Sequence, residues 1–168
     1  MTDQAFEIFY RRTAKGLWAY LYKSTGNSSL ADDLLQEAFI AFLKSAPVHL
    51  GEAEEKSYLY KIATNLVFMH WRKTKRRRIW EVRMEHEEDF GGREEDHATS
   101  VDVAKAFGEL SPQQRSLLWL AHVERYEHDE IASMLGVAKG SVKVLLFRAR
   151  RKFLDLLTTM GIEQGVSP

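Results

Sequence analysis

The sequence predicts an all-α protein made of two small helical domains joined by an acidic linker. Apolar residues recur at three- and four-residue spacing along most of the 168 residues, only three prolines interrupt them, and β-branched runs are few. A break in that periodicity near the middle of the chain coincides with a block of acidic residues, which is the composition of a solvated connection. With 45% hydrophobic residues there is enough apolar material for one ordinary core or two small ones.

The first helix is expected over about Asp3 to Tyr22, with Phe6, Phe9 or Tyr10, and Leu17 facing inward, and Gly26-Asn27-Ser28 ends it. Ser29 stands three residues before Asp32, a Ser-x-x-acid helix start, and Leu30, Leu34, Ala38, Ala41 and Phe42 make an apolar stripe behind it. This second helix should stop near Ser45-Ala46-Pro47. A third, long helix is expected from about Glu54 to Arg76 with a buried stripe of Leu59, Ile62, Leu66 and Met69.

From about Ile79 to Ser100 the chain is acidic, contains Gly91-Gly92 and loses its period. The domains therefore read as 1–78, a linker over 79–100, a second domain over 101–160 and a tail over 161–168. The second domain opens with a short helix near Val101 to Phe107. Ser111-Pro112-Gln113-Gln114 then supplies an N-cap, a proline in the first turn and a capping glutamine. Helices follow over about Glu127 to Leu135 and Lys139 to Leu157. The tight Gly136-Val137-Ala138 turn between them completes a helix-turn-helix pattern.

Several functions are excluded or disfavoured. No apolar run approaches the ~18 residues of a membrane span and no signal peptide is apparent, so a cytoplasmic protein without membrane insertion is expected. The absence of cysteine removes disulfides and thiolate metal sites. The six histidines lack ligand spacing, and no phosphate loop or nucleophile signature is present. Neither an enzyme nor a metal or cofactor site is expected.

Net charge is zero, but it is unevenly placed. Six of the seven residues from Arg72 to Arg78 are basic, an acidic stretch follows from Glu81 to Asp96, and Arg148 to Lys152 is basic again, so separate surfaces are implied. On the last helix, Val142, Leu146, Ala149, Phe153 and Leu156 form the inward stripe, leaving Lys139, Lys143, Phe147, Arg148, Arg150 and Arg151 outside. A cationic outer face after a tight turn suits a DNA major groove, or is a solvated basic face.

The long helix carries Lys61, Asn65, Phe68 and Arg72 opposite its core stripe, with Tyr58, Thr64 and Trp71 nearby. Rings, an amide and cations on one side suit unstacked bases and their backbone, although Phe68 and Trp71 could equally finish the core. The second helix presents Asp33, Gln36, Glu37 and Ile40 outward. That face repels DNA and is either solvated surface or a protein docking patch.

Three segments taken together carry a family resemblance: Ala31 to Phe39 (ADDLLQEAF), Tyr58 to Leu66 (YLYKIATNL), and Glu130 to Val137 (EIASMLGV) with Ser141-Val142-Lys143 and Arg148-Ala149-Arg150. In order and spacing they resemble sigma-70-family factors of the extracytoplasmic-function (ECF) group. The resemblance implies a region 2 domain over 1–78, a region 4 domain over 101–160, and a non-enzymatic role in transcription initiation.

By that resemblance Asp33, Gln36, Glu37, Phe39 and Leu43 would dock on the β′ clamp helices of core RNA polymerase. Tyr58, Lys61, Thr64, Asn65, Phe68 and Arg72 would read and open the single-stranded non-template −10 element. Lys139, Ser141, Lys143, Val144, Phe147, Arg148, Arg150 and Arg151 would read the duplex −35 element, and region 4 would touch the β flap. An anti-sigma protein is a further implied partner.

Two departures stand out: Val144-Leu145 replaces the Ser-Arg common in relatives, and Glu127 and Ala138 stand where helix-capping Ser, Thr or Pro is usual. Each lost cap costs about 1 kcal/mol. The competing readings are an autonomous helix-turn-helix repressor that binds duplex DNA alone, and an RNA-binding adaptor using Arg72 to Arg78.

Overall fold

The computed structural model describes residues 1–80 and 98–161, with side chains over 1–76 and 101–161. The described residues form α1 (Asp3–Thr25), α2 (Ser28–Ser45), α3 (Glu52–Trp80), α4 (Ala98–Gly108), α5 (Pro112–His122), α6 (His128–Leu135) and α7 (Val142–Thr159), with no strand among them. A 3-10 turn, Lys139–Ser141, leads into α7. None of these helices is long and apolar enough to cross a membrane. Most of the expected acidic linker, Arg77 and Arg78 as side chains, and the tail beyond 161 lie outside the described residues.

Local chemistry sets the helix ends. Thr2 Oγ1 accepts the Ala5 N–H at 3.2 Å to start α1, and Gly26 at φ 70° ends it in a conformation that costs a glycine little. The start of α2 differs from expectation, because Asn27 rather than Ser29 is the cap and its Oδ1 accepts the Leu30 N–H at 3.0 Å. Asp32 is engaged elsewhere, accepting the Trp18 indole N–H at 2.7 Å.

For α5 the expected box is complete: Ser111 Oγ accepts the Gln114 N–H at 3.2 Å and Gln114 Oε1 accepts the Ser111 N–H at 3.0 Å. Glu127 is not a bare end either, since its N–H donates to Glu130 Oε2 at 3.0 Å and so recovers part of the lost cap. Ala138 has no capping side chain, and the 3-10 turn stands in its place.

Helices α1, α2 and α3 bury Phe9, Leu17, Leu21, Leu34, Ala38, Phe42, Leu59 and Val67. Each such large side chain contributes about 1.5–3 kcal/mol on leaving water. Phe9 stacks on Phe42 with ring centroids 4.8 Å apart, so Phe9 rather than the exposed Tyr10 is the inward residue. Helices α5, α6 and α7 bury Leu117, Leu120, Ile131, Met134, Val142, Leu146 and Ala149. α4 closes this group by packing on α7, with Phe107 edge-on to Trp119 and Phe153.

The buried stripe of α3 is Leu59, Tyr60, Ala63, Thr64 and Val67, while Ile62 and Leu66 are half-buried and Met69 is 50% exposed. The expected stripe was displaced because α3 packs on two sides, against α1 and α2 and also against α5 and α6. The second contact takes polar residues inward. Tyr60 and Thr64 enter because their hydroxyls find partners, Glu124 at 2.6 Å and the Tyr60 carbonyl at 2.8 Å respectively.

Candidate nucleic-acid interface

The free side of α3 is built by the helical period. Asn65, Met69, Arg72, Lys73 and Arg76 are exposed. Their three- and four-residue spacing places them along one face. Lys61 and Phe68 are half-buried at its edge. Phe68 packs on the core, and Lys61 Nζ lies 3.4 Å from Ser133 Oγ. Tyr58 is also half-buried, with its hydroxyl 3.2 Å from the Ser45 carbonyl oxygen.

Thr64 departs from the set expected to touch DNA. It is fully buried, 2.7 Å from the Tyr20 hydroxyl, and it supports the helix from behind. Met69, assigned to the core by its apolar character, instead stands one turn beyond Asn65 on the open face. Its spacing from Asn65 was the available signal. An apolar chain beside an amide and cations offers contact area to a base without charge.

On α7 the expected division holds in geometry: Val142, Leu146 and Ala149 are buried, while Lys143, Val144, Phe147, Arg148, Arg150 and Arg151 are exposed. Phe147 is 59% exposed, unusual for a ring with no partner to cover it. Val144 is 49% exposed and Leu145 packs against the core, so of the two departures only Val144 lies on the outer face. Lys139 is exposed and pairs with Asp129 at 3.4 Å, a surface pair of little energetic weight, and Ser141 is half-buried.

Arg150 is held from the side. Its Nε–H donates to His122 Nε2 at 3.0 Å. Partial burial, then the neighbouring Arg150 charge, lowers the pKa of His122. An imidazole that stays neutral keeps the lone pair that Arg150 needs. His122 escaped sequence reading because it lies 28 residues from Arg150.

The outward face of α2 carries Asp33, Gln36 and Glu37, all exposed, with Ile40 and Leu43 each 52% exposed beside them. Phe39 does not belong to that face. It is 4% exposed and wedged edge-on to Phe6 and Phe9, so it shapes α2 from within and offers a partner almost no surface.

Known proteins resemble this chain over both helical groups. A sequence model of sigma-70 region 2 matches residues 9–77, and one of sigma-70 region 4 matches residues 100–153. The ECF RNA polymerase sigma factor SigE of Mycolicibacterium smegmatis is 28% identical over 175 residues, covering 98% of this chain and 68% of that protein. SigX of Bacillus subtilis, another ECF RNA polymerase sigma factor, is 25% identical over 167 residues, covering 92% and 86%. Among solved structures, the sigma factor RpoE from Bartonella quintana, in complex with the anti-sigma factor NepR, shares the fold with a TM-score of 0.73 at 22% identity, covering 92% of this chain and 98% of that one. With both regions matched in order and helices in the places they require, the chain is a member of the sigma-70 family and belongs to its ECF group.

Proposed function

We propose that this sigma factor docks on core RNA polymerase through α2 and directs initiation at promoters whose −10 element is read by α3 and whose −35 element is read by α7. Residues 1–78 then act as the docking and melting domain, and 101–160 as the duplex reader. One observation carries the reading: carboxylates flanked by exposed Ile40 and Leu43 occupy α2, whereas cations with an amide or a ring occupy the open faces of α3 and α7. A carboxylate face repels phosphates and suits a protein partner, and the other two faces suit nucleic acid.

Asp33, Gln36, Glu37 and Leu43 form the polymerase surface; Lys61, Asn65, Met69 and Arg72 form the −10 surface; Lys143, Phe147, Arg148, Arg150 and Arg151 form the −35 surface. An anti-sigma protein is part of the reading, as RpoE has one in NepR. The test is reconstitution of the purified chain with core polymerase on a library of promoter fragments. Defined starts are expected, reduced about tenfold by Asn65→Ala, in line with the ~1–3 kcal/mol of one base contact. No start on any fragment, with tight duplex binding by the chain alone, would instead identify an autonomous repressor.

A further inference from the structure

The outer face of α7 is apolar at its centre and cationic at its margins. Val144 and Phe147, 49% and 59% exposed, stand three residues apart and so adjoin on one side of the helix. By the helical period Lys143 and Arg150 flank Phe147, Arg148 flanks Val144 on the other side, and Arg151 follows between them; all four are exposed. No Asp, Glu, Asn or Gln occurs from residue 142 to residue 154. Among the described residues Lys143, Arg148 and Arg151 enter no ion pair.

A single exposed apolar side chain is ordinary, but a valine and a phenylalanine side by side within a ring of cations form a patch that water covers poorly. Leu145, the next residue, buries its apolar surface against the core, whereas Val144 does not. A protein partner would have to bring carboxylates and apolar side chains to the same small area. Duplex DNA already joins the two chemistries, with phosphates along the rim of the major groove and the thymine 5-methyl group on its floor.

Position along the helix narrows the reading. In a helix-turn-helix the N-terminal residues of the second helix reach the base edges. Here those are the first two turns of α7, whose exposed residues are Lys143, Val144, Phe147 and Arg148. They comprise two hydrogen-bond donors and two apolar groups, with no amide and no carboxylate. Lysine and arginine donate to guanine O6 and N7; the adenine edge calls for Asn or Gln, and the cytosine amino group for a carboxylate. The base feature left for Val144 and Phe147 is the thymine methyl.

We propose that Val144, with Phe147 beside it, reads thymine through its 5-methyl group, so that the −35 element of this factor sets thymines next to the guanines held by Lys143 and Arg148. The proposal rests on the assignment of α7 to the −35 duplex given above. The serine common in relatives at this place carries a hydroxyl that can bond to more than one base edge. Valine has no hydrogen bond to offer, so the exchange turns a polar, permissive contact into one that rewards a methyl group and discriminates against cytosine, which lacks it.

The test uses the full chain bound to core polymerase. Promoter fragments are selected from a random library, and the selected −35 element is rebuilt with deoxyuridine replacing one thymine at a time. Deoxyuridine pairs as thymine does and lacks only the methyl. At the contacted thymine, affinity should fall about fourfold, equivalent to the ~0.8 kcal/mol of one buried methyl group. Deoxyuridine between the two promoter elements should have no effect. Val144→Ala should bind the thymine and deoxyuridine fragments alike at that position, and Val144→Ile should retain the preference, both at unchanged helicity because the side chain is exposed.

A flat deoxyuridine scan with the wild type, or selected −35 elements without thymine, would overturn methyl reading while leaving the promoter assignment intact. A penalty undiminished in Val144→Ala would overturn it too, since the methyl would then act through duplex shape rather than contact. Weaker assembly of Val144→Ala with core polymerase in the absence of DNA would reassign the patch to a protein interface. Selection of no fragment at all would overturn the promoter reading, and methyl reading with it.

Discussion

Arg150 shows how a single bond can tie pH to the outer face of α7. Its partner His122 has a pKa lowered first by burial and then by the guanidinium itself, so the folded chain binds a proton there less readily than the unfolded chain does. The contribution of this contact is therefore complete above the ordinary histidine pKa of ~6.5 and is lost as pH falls below it. Melting temperature should drop on acidification through that window by more in the wild type than in His122→Gln. Equal slopes would show that the contact has no thermodynamic weight. At this scale the sequence exposed charge and period but not partnership. Thr64 was placed on the DNA face because it is polar and near Asn65, yet its hydroxyl is satisfied inside by Tyr20 and the Tyr60 carbonyl. Phe39 was assigned to docking by the family resemblance, while its ring answers to Phe6 and Phe9.

Each helix divides its labour between a buried arc and a free arc, and the free arc can be tested without disturbing the other. Reversing charge on α2 with Asp33→Lys and Glu37→Lys should leave helicity and melting unchanged, because both side chains are exposed. It should weaken association with core polymerase by about 2 kcal/mol or more, the scale of a lost interfacial charge pair. Unaltered affinity in a binding titration would remove α2 from the docking surface. On α7, Arg148→Ala and Arg151→Ala should each flatten the dependence of log affinity for duplex −35 DNA on log salt by about 1, as one released counterion requires. A slope that does not move would mean those guanidinium groups do not neutralise phosphates. Elements whose ends rest on side-chain capping were readable where the motif was complete, as at Ser111 and Gln114. They were misplaced by a residue or two where an asparagine could serve as well as the serine that follows it. The face of α7 was legible because one side alone is packed, and that of α3 was not, because a helix buried on two sides loses the single stripe that a hydrophobic period reveals.

At the scale of the whole chain, the packing of α5 and α6 on α1 and α3 was invisible to periodicity. Its polar contacts join residues 64, 68 and 96 apart and are made by hydroxyls and charges, which carry no repeating signal. They do carry an alkaline signature. Burial raises the pKa of Tyr20, Tyr60 and Tyr126 above the ordinary value of 10.0, and the Glu124 charge adds to the effect at all three. A raised folded pKa means that the folded chain favours the neutral phenol, so its stability is intact below pH ~10 and declines as pH climbs through the shifted values. Absorbance of ionising tyrosine should therefore include a late phase worth three of the six tyrosines. Glu124→Gln removes the charge that opposes ionisation while leaving the rings buried, and should move part of that phase to lower pH. A late phase absent from the wild type would mean that these phenols are already hydrated, and hence that the free chain in solution does not hold its halves together through them.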